Sequence, residues 1–337
     1  MIDNPTISVV MSVYNGGEYL TEAIESILNQ TYKDFEFIII NDGSTDGSLE
    51  LIREFEKQDS RIVLITRENK GLIASLNEGI EKSKGKYIAR MDADDISLPN
   101  RFEVQLEFME KNLNIGVCGS WIEVFGEGYK TKVVKVAPND EELRTMLIFT
   151  VPVMHPSVMM RKDLLDIYNL RYNEEYQSAE DYKMWLDCAK FIKLANIEKV
   201  LLKYRILNTG MTRVAETTQN DKRYEVIGRI FKEALAKMGV ENSEEENQFH
   251  YILISHERIV KTNVDIEYLD KYLNKLLNAN KSSKLYQHRY LKYLLIKKFL
   301  VVVYFKVRNK DLSFLQAMFY KKFWLGIWYV MCGKITI

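Results

Sequence analysis

The stretch Lys86 to Asp95, KYIARMDADD, ends a short apolar run in three carboxylates, Asp92, Asp94 and Asp95, within four positions. Like charges this close repel unless a cation sits among them. Asp92 and Asp94 flank a single residue in what should be a tight turn off a strand. Two carboxylates held there suit a hard divalent ion, Mg2+ or Mn2+, that completes its shell with water and substrate phosphates. Bridging a diphosphate, such an ion stabilises that group as it departs, so no general acid has to protonate it. The remaining requirement is a base for an attacking hydroxyl. In SAEDYKMW, Glu180 and Asp181 stand at the start of a helical pattern, where the positive end of the helix dipole favours an ionised carboxylate.

The elements that must position these groups alternate from the first residues on. TISVVMSVY, FEFIIIN, RIVLIT and KYIARM read as buried strands; the segments after them show helical spacing, as at Leu20, Ile24, Ile27 and Leu28. Strand then helix, four times over, predicts a doubly wound α/β sheet, mostly parallel, with helices on its faces. The ligand crevice of such a sheet lies at the carboxyl ends of its strands, where the strand order reverses. Tyr14 and Asn15, then Asn41 to Gly43, then Arg67 and Asn69, then Asp92 to Asp95 follow the four strands and should converge there. The first turn, VYNGGEYL, lacks G-x-G-x-x-G, and no P-loop occurs, so a nucleotide would be held by side chains: Tyr14 offers a face for a base, and Asp42 can accept from the imide N–H of uracil. Beyond Asn112 strands and helices mix, with VLLKYRI the last strand-like run; after about Thr209 the pattern is helical.

The bulk numbers are those of a folded protein: 337 residues, 47% hydrophobic and 28% charged. Lys plus Arg and Asp plus Glu are both 47, so net charge gives no reason to expect a nucleic-acid partner. The average hides an asymmetry, because residues 281–337 hold 12 basic residues against one acid, Asp311. Cys118, Cys188 and Cys332 are far apart with no CxxC pair, which fits structural thiols in a reducing compartment. The N-terminus lacks the basic region of a signal peptide. The longest apolar runs, FLVVVYF and FWLGIWYVMC, fall short of the roughly 18 to 20 residues that span a bilayer. The expected location is cytoplasmic and peripheral on the inner face of the cell membrane, with 281–337 as the segment touching the membrane surface.

ISVVMSVYNGGEYLTEAIESILNQTYKDFEFIIINDGSTDGS, NKGLIASLNEGI, YIARMDADD, AEDYKMW and YRI resemble, in order and spacing, the inverting glycosyltransferases of family 2, which have a GT-A fold. The resemblance runs from about Pro5 to Thr212 and rests on several motifs agreeing together. It implies a GT-A catalytic domain over 1–212, with a nucleotide-binding half at 1–112 and an acceptor-side half at 113–212, followed by a helical C-terminal extension over 213–337. It implies a UDP-sugar donor and a saccharide or lipid-linked saccharide acceptor, with one hexose or N-acetylhexosamine moved per encounter in surface-polysaccharide, O-antigen or capsule assembly. Tyr14, Asn15, Asp42, Arg67, Asn69 and Asp92 would line the nucleotide, Asp94 with Asp92 would bind the metal, and Asp181 would be the base. Members with YRIH carry a His at its fourth position; Leu207 stands there, and His155 in MHPSVMMR is the substitute ligand. The processive branch has Q-x-x-R-W and several membrane spans, and this chain has neither pattern.

Plainer readings stay open beside these. Asp92 to Asp95 and Asp42 to Asp46 are also ordinary turn and cap signals, Asp181 a dipole residue, His155 a satisfied polar group and Tyr14 a core aromatic. A nucleotidyltransferase on a similar sheet, or a non-catalytic nucleotide-sugar-binding protein, would use much the same residues.

Overall fold

The apolar runs of the first hundred residues become a buried parallel sheet. The computed structural model describes residues 5–207 and 220–331. Strands β1 (Ile7–Val13), β2 (Phe35–Asp42), β3 (Ile62–Arg67) and β4 (Tyr87–Met91) pair in the order β3-β2-β1-β4, all parallel. Every residue of β2 and β4 is buried, the signature of strands covered on both faces. Helix α1 (Leu20–Leu28) supplies part of that cover with Leu20, Ala23, Ile24 and Ile27, and α2 (Ser48–Gln58) with Ile52. Helix α3 (Leu72–Lys82) comes closest: a Cβ at Gly79 would stand 2.3 Å from Val10 Cγ1, so only glycine lets this helix sit against β1.

The second half extends the sheet with mixed polarity. After β5 (Ile96–Ser97), α4 (Arg101–Lys111), β6 (Ile115–Phe125), β7 (Lys132–Val134), α5 (Asp140–Met146), β8 (Met159–Arg161), α6 (Lys162–Ile167), α7 (Glu180–Phe191) and β9 (Lys193–Arg205), the order continues β4-β8-β6-β9-β5, with β7 beside β6. β8 runs antiparallel to β4 and β6, whereas β9 is parallel to β6 with register shifts near Ser120 to Ile122. Buried polar side chains set these joints. Arg101, fully buried, donates to the carbonyls of Arg90 (2.8 Å) and Val158 (3.2 Å), and Gln105 donates to the Ser157 carbonyl (2.8 Å), tying the exit of β4 to the entry of β8.

The chain divides into two units, Met1–Leu143 with Val151–Arg223, and Arg144–Thr150 with Tyr224–Ile337. The expected boundary at 212/213 lies outside the described residues, as does Cys332; Cys118 and Cys188 are buried free thiols. The second unit is helical among its described residues: α8 (Asn220–Ala236) leads into it, then α9 (Glu244–Ile252), α10 (His256–Lys261), α11 (Ile266–Ser283), α12 (His288–Arg308), α13 (Phe314–Ala317) and α14 (Lys321–Met331). Leu269, Leu273 and Leu276 of α11 and Leu295, Phe299 and Val302 of α12 centre its core. No helix among the described residues is long and apolar enough to cross a membrane.

The Gly79 contact gives a test of the helix-to-sheet fit. Gly79→Val should lower unfolding free energy by about 1–3 kcal/mol in urea titrations, through overpacking that outweighs the helix-propensity gain. Adding Val10→Ala should restore part of that loss; no loss from Gly79→Val alone would mean that α3 does not seat this closely.

Candidate active site

The strand order reverses between β1 and β4, and the polar strand ends gather at that point. The first two connecting loops are stitched together. Asn15, at φ 52°, donates its N–H to Ser44 Oγ (3.0 Å) and accepts from the Thr45 N–H at Oδ1 (2.8 Å); the Gly16 and Gly17 N–H groups reach Ser48 Oγ (2.9 Å) and Asp46 Oδ2 (3.0 Å). Next to this lattice Tyr14 is 55% exposed, so it is no core aromatic.

Asp42 is buried, and its oxygens accept from the backbone N–H groups of Lys70 and Gly71, each at 2.8 Å, and from Arg67. Arg67 also donates to Glu78 (2.7 Å) and Ser75 Oγ (2.9 Å), while Asn69 Oδ1 accepts from Gly71 N–H (3.1 Å). Asp42 thus holds the 67–71 loop in place, and a base would meet only what acceptor capacity is left on it. Gly43 permits this closure: at φ 76° its Cβ would lie 2.8 Å from Asn69 N.

At the end of β4, Asp92, Asp94 and Asp95 present carboxylate oxygens that all lie within 4.8 Å of one another. Asp95 is buried; its Oδ1 accepts from Arg205 N–H (2.8 Å), and its Oδ2 is buried with no hydrogen-bond partner. Burial and then the charge of Asp92 push the Asp94 carboxyl up to about 6, and burial with both neighbouring carboxylates raises Asp95 further. A buried orphan acceptor inside a crowd of carboxylate oxygens is a donor set that fits a hard divalent cation. Asp95, outside the Asp92 and Asp94 pair expected from sequence to bind the metal, belongs to the cluster.

Three residues the motifs did not single out stand around the site: Arg90 and Arg205 hold the aspartate turn, and Tyr172 holds His155. Arg90 is 4% exposed, forms an ion pair with Asp92, and its charge bears on His155, Tyr172, Glu180 and Asp181. Arg205, at the end of β9, donates to the Asp94 carbonyl (2.8 Å), pairs with Glu22, and lies between the rings of Tyr19 (4.2 Å) and Phe125 (4.5 Å). It is the Arg of YRI, and it buttresses the aspartate turn; Leu207 beyond it carries no ligand atom. Tyr172 is the third. Its hydroxyl bonds His155 Nε2 (2.8 Å), and Asn77 pins its backbone on both sides (2.8 and 2.9 Å).

His155 is buried against Tyr172 and the edge of Trp185, and burial followed by the Arg90 charge holds its pKa well below the usual histidine value. It is a neutral ring already bonded, and it is not a member of the carboxylate cluster. Glu180 and Asp181 open α7 after Ser178, which is at φ 68°. Burial and the adjacent Asp181 raise Glu180 to about 7; burial raises Asp181, opposed by the Tyr182 N–H (2.7 Å), Arg90 and Arg223.

The family model for glycosyl transferase family 2 matches residues 8–167. A glycosyltransferase of Haemophilus influenzae strain Rd is 36% identical over 247 residues, covering 70% of this chain and 76% of that one. The O-antigen biosynthesis glycosyltransferase WbnJ of Escherichia coli is 35% identical over 242 residues, covering 70% of this chain and 91% of its own length. Among solved structures, S. aureus TarS 1-349 in complex with UDP-GlcNAc matches with a TM-score of 0.59 at 18% identity, over 98% of this chain and 93% of that one. The mannosyltransferase PcManGT from Pyrobaculum calidifontis, in complex with GDP-Man and Mn2+, matches with a TM-score of 0.54 at 13% identity, over 98% and 85%. The structural likenesses bear on fold, which is the GT-A type expected from the sequence.

The crowding at Asp94 has a measurable sign. Its folded pKa, about 6, lies above the ordinary 3.8, so stability held by the protonated form is complete below about pH 4 and is lost as pH rises through 6. In a chelator, Asp94→Asn should melt with the wild type near pH 4 and several degrees above it beyond about pH 6.5. Millimolar Mn2+ should raise the wild-type Tm and leave the variant little changed. Identical melting at both pH values would mean that Asp94 is not under this strain.

Proposed function

The chain belongs to glycosyl transferase family 2 and is a glycosyltransferase, and from that premise we propose that it moves one hexose or N-acetylhexosamine from a UDP-sugar to a saccharide hydroxyl with inversion. The observation that carries the reading is the gathering of Asp92, Asp94 and Asp95 at the point where the strand order reverses, with the exposed Tyr14 just past the end of β1, the strand paired with β4. A saccharide or lipid-linked saccharide acceptor, in polysaccharide or O-antigen assembly, is the setting that the name of the E. coli relative suggests. Contact of 281–337 with a membrane surface belongs to the same proposal. A nucleotidyltransferase reading drops with the family membership.

In this reading Tyr14 stacks on the base, and the 67–71 loop held by Asp42 and Arg67 walls the nucleotide, with Asn15 and Asn69 at its edge. Asp92 and Asp94, with Asp95 beside them, would hold Mg2+ or Mn2+. Bound there, the ion supplies positive charge to offset that of the departing diphosphate. Asp181 takes the proton of the acceptor hydroxyl. The neighbouring Glu180 cannot share that task easily: two adjacent carboxyls in a buried site titrate as a pair. Burial and the adjacent Asp181 push Glu180 up to about 7, whereas the Tyr182 N–H and the helix N-terminus favour charge on Asp181. Trp185, fully buried one turn on, meets the ring of His155 edge-on.

Asp181→Asn should lower kcat by about 10²–10⁴-fold while the affinity for UDP with Mn2+ stays within a few fold, since only the proton acceptor is lost. Unchanged turnover would remove Asp181 from the role of base. A thermal-shift screen of nucleotide-sugars with Mn2+ should single out a UDP-sugar, because a donor that binds the folded state raises Tm by mass action. A shift with GDP-mannose alone, and no UDP release from any UDP-sugar, would overturn the donor assignment.

A further inference from the structure

We propose that α14 is a membrane-surface anchor, whose outer face, carrying Trp324, Trp328 and Met331 with Phe319 just before it, enters the headgroup layer of an anionic bilayer. The inference rests on the reading that the C-terminal segment meets a membrane surface, and it names the face that does so.

The helix is seated in one rotational setting. Lys322, Phe323 and Gly326 face inward: Lys322 Nζ donates to Asp270 (2.6 Å) and Asn274 (2.7 Å) on α11, and a Cβ at Gly326 would stand 2.4 Å from Leu300 of α12. That setting turns Lys321, Trp324, Trp328 and Met331 outward, at spacings of three, four and three residues, as one stripe of an α-helix. Trp324 and Trp328 are each 52% exposed, Met331 81% and Phe319 89%. Two half-exposed indoles in one stripe suit the boundary between headgroups and acyl chains, although the Trp324 N–H is donated to the Met318 carbonyl (2.8 Å).

The charge around the stripe selects the occupant. Tyr329 packs on Tyr293 (5.8 Å) and Gly326 on Leu300, so α14 runs antiparallel to α12 and its first turn, with Lys321, lies toward the end of α12. That end carries Arg308, and Lys310 follows; both are exposed. Asp311 is the sole acid in residues 281–337. The exposed acids Asp265 and Glu267 at the start of α11 bear on Tyr320 beside Lys321, so the rim is mixed there, yet a second copy would bring the same excess of 12 basic residues over one acid in 281–337. An anionic lipid surface meets both the aromatic stripe and the basic excess of 281–337, and a short helix with these faces lies on a bilayer rather than crossing it.

The test uses the full chain and vesicles of phosphatidylcholine with and without one-quarter phosphatidylglycerol. The wild type should co-sediment with the anionic vesicles and release from them as salt is raised, with a blue shift in tryptophan emission and quenching by brominated lipid. Trp324→Ser with Trp328→Ser should weaken binding at least tenfold and lose the quenching, leaving Tm and UDP release as in the wild type. Wild-type-like vesicle binding by this double variant would overturn the assignment of the face while sparing the membrane reading. No vesicle binding by the wild type would overturn both. Concentration-dependent dimerisation that the double variant abolishes, without lipid binding, would assign the face to self-association and overturn the proposal.

Discussion

Negative charge concentrated in a nearly dry place is the condition to which the catalytic unit is built. Asp92, Asp94 and Asp95 stand within 4.8 Å of one another, and the guanidinium that pairs with Asp92, that of Arg90, is itself buried. Left to itself the cluster would spring apart or take up protons, and the raised carboxyls of Asp94 and Asp95 record the second tendency. What prevents the first is a brace of buried cations and amides. Arg101 grips the Arg90 carbonyl, Arg205 grips the Asp94 carbonyl and Asp95, and Gln30 donates to the Leu98 carbonyl (2.8 Å) just downstream. Arg101, Gln30 and the Arg205 guanidinium hold backbone, while Arg90 takes both Asp92 oxygens and the Arg205 N–H takes Asp95 Oδ1, which leaves Asp95 Oδ2 buried without a partner.

How much of this was legible in the sequence follows from the range of the interactions. The parallel strands β1, β2 and β4 announce themselves because burial on both faces requires unbroken apolar runs, and those runs stand in the chain as written. β8 and β5 do not, being three and two residues long and defined only by the neighbours they pair with. β9 starts at Lys193, earlier than its apolar VLLKYRI core, because pairing with β6 carries the ladder through the polar Asn196 to Lys199 segment. The site divides in the same way. Asp92, Asp94 and Asp181 stand out as candidates from local spacing. Arg90, Arg205 and Tyr172 do not, since each gains its meaning from a partner remote in sequence: Tyr172 from His155 and Asn77, Arg205 from Asp94, Asp95 and Glu22.

The nucleotide side shows why a residue type can be right while its immediate task differs. An aspartate ending β2 offers a hydrogen-bond acceptor at the switch point, as the sequence suggested, yet the Asp42 oxygens already receive two backbone N–H groups and Arg67. A buried carboxylate needs such donors, and here they come from the loop that forms the crevice wall. Asn15 does the same for the loop after β2, through Ser44 and Thr45. Both residues are therefore part of the frame that fixes the crevice shape before any ligand arrives. Tyr14, exposed and outside this lattice, is the side chain left to make contact.

The two halves of the site are joined by one charge. Arg90 pairs with Asp92 on the side of the carboxylate cluster and acts, across the exit of β4, on Glu180, Asp181 and His155 of the other half. For the two carboxyls it favours ionisation; for the imidazole it opposes it. The same guanidinium thus helps keep His155 neutral and a negative charge available at the start of α7, against a burial that raises both carboxyls there. Glu180, pushed up to about 7 by burial and the adjacent Asp181, titrates together with Asp181, at which the Tyr182 N–H is aimed. Residues about ninety positions apart in sequence consequently answer to a common field. A change on the Asp92 side that alters the Arg90 ion pair must also alter how readily the α7 pair gives up its proton.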